Sequence, residues 1–309
     1  MTSSLASTSP LRTAWLIGAD IKLHHSVFAL PFAVLAAFLA AAPAGRVIDW
    51  SRFGGQLGLV VLAMIFARTV AMLANRLLDR EIDARNPRTA GRALPSGRLT
   101  VPAAAAAFGG SAVCFLGVCV AFGVVYGNWW PAGLGVPVVL WLSLYPLLKR
   151  FTSLAHLYLG ASLAISPLAA ALAVDPPALV GQPVVWLLAV MVLCWVAGFD
   201  IIYALQDVEV DRDQRLKSLP ARLGVRSAMM VSRLLHGVAA AALIAAAVVD
   251  PRMGLLFAVG TGMVIGLLVL EHATVSRWGR SRIALSFFTL NGIVSCLLGL
   301  FGVADVVFF

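Results

Sequence analysis

Hydrophobic and polar positions in this chain alternate on the scale of whole segments, not of single residues. Averaged over a window of about 19 residues, apolar stretches cover roughly 24–43, 56–78, 102–124, 129–148, 153–174, 183–206, 227–249, 253–272 and 284–306. Each is about long enough to cross a hydrocarbon core of ~30 Å as a helix. None alternates with a period of two, which excludes the strands of a membrane barrel. The pattern predicts an all-α integral membrane protein with nine transmembrane helices. Nine spans leave almost nothing for a soluble domain, so 1–309 is expected to be a single domain.

Composition agrees with this and removes other classes. The chain is 61% hydrophobic and only 12% charged, with a mean hydropathy of +0.94. Globular proteins carry about twice that share of charge. Disorder, collagen and a secreted disulfide scaffold are excluded with the soluble fold. Cys114, Cys119, Cys194 and Cys296 all sit in apolar runs without metal-ligand spacing, so they are expected to be small apolar fillers. A cleaved signal peptide is not expected, because the first apolar stretch is long enough to span and has further spans behind it.

A net charge of +9 would suggest nucleic acid in a soluble protein; here its distribution points to topology. Arg12 and Lys22, the Arg80–Arg98 cluster, Lys149 and Arg150, the Arg212–Arg226 cluster, and Arg277, Arg280 and Arg282 all fall on one side. Only Arg46, Arg52 and Arg252 fall on the other. The positive-inside bias therefore predicts a cytoplasmic N-terminus in a multi-pass protein of the inner (plasma) membrane, its active site facing the cytoplasm.

Two of the predicted cytoplasmic loops hold most of the acids and bases. In the first, Asn75, Asp79 and Asp83 are spaced by four and would stack on one helix face, followed by Arg88, Arg92 and Leu94-Pro95. In the second, Asp207-x-Glu209-x-Asp211 repeats Asp79-x-Glu81-x-Asp83, followed by Arg215, Lys217 and Leu219-Pro220. The repetition suggests two related half-sites facing each other. Hard oxygen donors suit Mg²⁺, which prefers to share carboxylates with phosphate oxygens. The trailing Arg and Lys suit the phosphate oxygens themselves. Together they describe a diphosphate site at the mouth of an apolar bundle, where an allylic C–O bond could ionise away from water.

At these residues the chain resembles the UbiA superfamily of intramembrane prenyltransferases. Asn75-x-x-x-Asp79-x-x-x-Asp83 with Arg88-Thr89 and Arg92 is similar to its first motif. Asp200-x-x-Tyr203-Ala-x-Gln-Asp207-x-x-x-Asp211 is similar to its second, and Tyr145-Pro146-x-x-Lys149-Arg150-x-Thr152 to a third. The resemblance covers essentially the whole chain and implies nine helices in a ring-like bundle. It implies Mg²⁺ held by Asn75, Asp79, Asp83, Asp207 and Asp211, the four aspartates being catalytic. It places polyprenyl diphosphate on Arg88, Arg92, Lys149, Arg150 and Lys217. Relatives often carry Gly where this chain has Arg215, so Arg215 is left out of the site.

The segment Lys22-Leu-His24-His25-Ser-Val-Phe-Ala-Leu-Pro31 resembles a subgroup associated with menaquinone made by the futalosine route, whose acceptor would be a dihydroxynaphthoate; 4-hydroxybenzoate, as in ubiquinone synthesis, is the other aromatic acid expected. Lys22, His25, Arg68, Asp200 and Tyr203 are the candidate acceptor-binding residues. Arg68 and Asp200 are charges within apolar stretches and could pair, since an uncompensated charge at depth is costly. Glu271 and His272 are expected to be interfacial. A transporter is the non-enzymatic alternative, but its coupling charges belong near the midplane, whereas these acids cluster at helix ends. A CDP-alcohol phosphotransferase would pack its acids into one segment, which this chain does not do. A heme or glycerophosphate acceptor fits the same diphosphate chemistry.

Overall fold

The computed structural model describes residues 15–18, 28–43, 47–279, 283 and 289–308. All regular structure among them is helical, and the nine principal helices match the nine apolar stretches in order. They are α1 (Leu30–Ala41), α2 (Trp50–Leu78), α3 (Val101–Tyr126), α4 (Trp130–Phe151), α5 (Ala155–Val174), α6 (Pro183–Ala204), α7 (Val225–Val249), α8 (Leu255–Trp278) and α9 (Asn291–Phe308). Eight of them, α2 to α9, are long and apolar enough to cross a membrane. The twelve described residues of α1 would cover only ~18 Å at 1.5 Å per residue. The first predicted stretch begins before them, in residues that lie outside the description, as do Lys22 and His25.

Local signals set the helix ends. Asp49 accepts from the Ser51 and Arg52 amides at 3.1 and 3.4 Å and so starts α2, and Thr100 caps α3 through the Ala103 amide. Each helix packs against the next, and α9 returns to α1, closing a ring in which α1 also packs across onto α5. Burial decides which helices face lipid. In α6 72% of the most apolar window is buried, against 11% in α4, so α6 is the central element and α4 presents Val136, Leu140 and Leu144 outward. At Gly160 a Cβ would lie 2.2 Å from the Leu193 carbonyl oxygen; only glycine lets α5 and α6 approach this closely.

The end of the bundle away from the acidic motifs is closed by Arg252. Its guanidinium donates to the Leu39 and Ala42 carbonyls, to Gln182 Oε1 at 3.0 Å and to Asp250 at 2.6 Å, tying α1, α6 and the α7–α8 turn together. One expectation is corrected within the bundle. Glu271 is not interfacial: it is 1% exposed and accepts from Asn291 at 3.1 Å, while His272 meets His236 at 3.0 Å. Hydropathy placed this pair at a span end, but α8 continues to Trp278 and so keeps it inside.

Candidate functional site

Both acidic motifs are built the same way. α2 stops at Leu78, Asp79 takes φ −96°, ψ 5°, and a short helix Arg80–Arg85 follows. α6 stops at Ala204, and Asp207 takes φ −107°, ψ 5° before the short helix Val208–Asp213. The four-residue stacking expected from a continuous helix survives the break, because the Asp83 and Asp211 amides still donate to the Asp79 and Asp207 carbonyls at 2.8 and 2.7 Å. The sequence repeat is thus a repeat of backbone geometry.

Four of the five cations placed on the diphosphate by sequence, Arg88, Arg92, Lys149 and Arg150, are partners of these acids. Lys149 Nζ lies 2.6 Å from Asp79 Oδ2, and Arg150 lies 3.7 Å from Oδ1. Arg92 pairs with Asp83 at 2.6 Å. Arg88 forks onto Asp207, with Nε at 2.9 Å from Oδ1 and Nη2 on Oδ2. It also donates to Tyr203 Oη at 2.9 Å and stacks over that ring. Two of these cations span the motifs: Lys149 acts electrostatically on Asp211 as well as Asp79, and Arg88 feels Asp83 as well as Asp207. The third segment therefore reaches the interface between the other two. The Lys217 amide continues this seam by donating to the Lys149 carbonyl at 2.7 Å, while Lys217 Nζ donates to Phe151.

Asp79 is 2% exposed, and burial raises its carboxyl above the usual range against the opposing pull of Lys149. Burial likewise raises Asp211. Asn75 donates to Asp79 Oδ2 at 3.3 Å and accepts from Arg76. Asp79 Oδ1 is buried without a hydrogen bond, with only the Arg150 guanidinium near it at 3.7 Å. Among the described residues no three acidic, His or Cys side chains converge on one point. The carboxylate and amide oxygens of the two motifs are hard donors of the kind Mg²⁺ takes, one or two carboxylates with phosphate and water completing its shell.

The acceptor candidates separate. Asp200 accepts from His156 Nδ1 at 2.7 Å, and His156 Nε2 accepts from the Leu219 amide at 3.2 Å; the amide fixes the tautomer. The sequence left an Arg68–Asp200 pair open, and in the structure Asp200 is held by His156. Arg68 instead lies within electrostatic reach of Arg76, its Nε buried without a hydrogen bond. Tyr203 sits against Arg88, at the diphosphate end. Tyr145, which the third motif singled out without a role of its own, lies within electrostatic reach of Asp79 and Asp200. Sequence reasoning missed two residues. Buried Asn86 donates to Asp207 Oδ1 at 2.9 Å, linking the two motifs directly. His156 could have been found as a lone titratable group in an apolar stretch; Asn86 gave no such signal.

Comparison with known proteins gives the family and the fold. The model of the UbiA prenyltransferase family matches residues 29–293. The chain is similar to a 4-hydroxybenzoate octaprenyltransferase of Alcanivorax borkumensis, 32% identical over 66% of this chain and 68% of that one. It is also similar to that of Colwellia psychrerythraea, 32% identical over 54% and 52%; the chain thus spans about half to two thirds of these relatives. A solved apo UbiA homolog from Aeropyrum pernix K1 superposes with a TM-score of 0.80 at 29% identity, covering 92% of this chain and 98% of that one. A UbiA homolog from Archaeoglobus fulgidus bound to GPP and Mg²⁺ shares the fold, with a TM-score of 0.69 at 18% identity over 94% and 99%.

Proposed function

Because the chain belongs to the UbiA prenyltransferase family, we propose that it transfers a polyprenyl group from polyprenyl diphosphate to an aromatic acid, 4-hydroxybenzoate or a dihydroxynaphthoate, in quinone synthesis. The observation that carries this reading is the seam where Asn86 and Arg88, from the first motif's loop, bind Asp207 of the second while Lys149 of the third segment binds Asp79. A site of that form is neutralised at rest and exchanges its internal ion pairs for a bound metal–diphosphate. The relatives named for 4-hydroxybenzoate favour the benzoate, and the GPP- and Mg²⁺-bound homolog of the same fold makes Mg²⁺ the metal to test.

Asn75, Asp79 and Asp83 on one side, and Asp207 and Asp211 on the other, would hold Mg²⁺. Bound there, the metal neutralises charge gathering on the departing diphosphate. Arg88, Arg92, Lys149, Arg150 and Lys217 bind the diphosphate oxygens and fix the allylic carbon at the mouth of the bundle. The apolar helices keep water from the allyl cation, so an electron-rich ring carbon captures it and the ring proton then passes to a nearby carboxylate or diphosphate oxygen. Arg68, with Lys22 and His25, orients the acceptor carboxylate; the His156–Asp200 pair and Tyr203 line the approach. The basic loops support a cytoplasmic site.

The test is to incubate purified protein with a polyprenyl diphosphate, Mg²⁺ and either 4-hydroxybenzoate or 1,4-dihydroxy-6-naphthoate. A carbon-prenylated acid detected by mass supports the proposal. Alkylation of heme B or a glycerophosphate, with both acids ignored, defeats the aromatic-acid part and leaves the diphosphate part standing.

A further inference from the structure

The short helix that carries Asp83 inward also borders a cleft. Arg80 and Arg85 are exposed and line it, a cleft of about 590 Å³, together with Arg150 from the end of α4 and Arg215 from the loop after the second motif. We propose that this cleft is a second anion site, which takes the phosphate of a phosphodiester or phosphomonoester beside the Asp79–Lys149 and Asp207–Arg88 pairs and shares Arg150 with them.

Three separate segments of the chain bring four guanidinium groups to one depression, against a single lining carboxylate, Glu81, already paired with Arg80 at 3.8 Å. Among the described residues no ion pair or side-chain hydrogen bond reaches the guanidinium of Arg85 or of Arg215. Guanidinium forks match phosphate oxygens bidentately, and these two are uncommitted. Arg215 also has φ 55°, the left-handed region that costs an L side chain energy. The turn is fixed on both sides of it by the Arg215 amide on Arg212 and the Leu216 amide on Asp211.

The floor fits the same ligand. Leu78 and Val101, where α2 ends and α3 begins, line the cleft, so it lies at the level where spans leave the hydrocarbon and lipid phosphates sit. An anion bound between Arg85 and Arg215 would tie the first motif helix to the second motif loop. The ligand chemistry is shared by two sources: an anionic phospholipid headgroup, and free phosphate released in solution.

The test compares the wild-type protein with the Arg85→Gln/Arg215→Gly double variant, both purified in detergent without Mg²⁺. Glycine relieves the left-handed backbone and Arg85 is exposed, so the double variant is expected to melt no lower than wild type. Arg215→Gly alone provides a second comparison with the inner helix untouched. One arm titrates phosphatidylglycerol, with phosphatidylcholine as control, and counts retained lipid by native mass spectrometry. The other titrates inorganic phosphate by calorimetry. Losing two surface cations should weaken binding roughly tenfold or more. A loss confined to phosphatidylglycerol identifies a lipid site, and a loss in the phosphate arm identifies a soluble anion. Equal binding by wild type and both variants in both arms overturns the proposal. Both proteins keep the same acidic motifs, so the outcome does not depend on whether prenyl transfer is observed.

Discussion

Lys149→Gln should move metal and diphosphate affinity in opposite directions. In the ligand-free protein Lys149 is 2.6 Å from Asp79, a carboxylate 2% exposed with one oxygen unbonded, so it competes with a divalent cation for that ligand. A charge-assisted hydrogen bond is worth about 1.5–3 kcal/mol net. Lys149 is 28% exposed, so the lower end applies, and removing the competitor should tighten metal binding about tenfold. Diphosphate loses one charge-assisted contact and should bind about ten- to a hundredfold more weakly. Mn²⁺ titration followed by electron paramagnetic resonance gives the first quantity, and calorimetry with a non-reacting diphosphate analogue the second. If Lys149→Gln leaves Mn²⁺ affinity unchanged or weaker, the internal ion pair is not what the metal displaces, and the exchange mechanism is wrong.

Asp79→Ala or Asp207→Ala should reduce prenyl transfer below a tenth of wild type, a barrier increase above ~1.4 kcal/mol, with membrane insertion intact; a faster variant removes that residue from the metal set. His156→Leu should leave Asp200 without its donor, lowering stability by about 1–3 kcal/mol and slowing turnover. His156→Asn, which keeps a donor near the Nδ1 position, should restore part of both, and equal melting of the two variants would deny His156 a positioning role. Burial raises the Asp79 and Asp211 carboxyls, and a protonated carboxyl cannot ligate. Metal affinity should therefore weaken as pH falls, beginning above the ordinary carboxylate range; a midpoint within that range contradicts the burial argument.

The sequence by itself determined whatever depends on local composition and spacing. Apolar runs near twenty residues long predict helices because no other extended segment satisfies its backbone in lipid, and the nine principal helices follow the nine runs in order. The repeat of Asp79-x-Glu81-x-Asp83 at Asp207 was legible for the same reason: both copies stand at a span end and fold into the same break and short helix. The tertiary structure alone decided which residues face each other. Hydropathy placed Glu271 at an interface, yet the continuation of α8 and the amide of Asn291 put it inside. His156 became the partner of Asp200 because α5 lies against α6 at a glycine, a contact that the spacing within either helix does not encode. Nor does spacing reveal that Lys149 serves two motifs, Asn86 joins them, or Arg80, Arg85, Arg150 and Arg215 share one cleft. Helix periodicity fixes the face on which a side chain lies; which face it meets depends on the packing of elements distant in the chain.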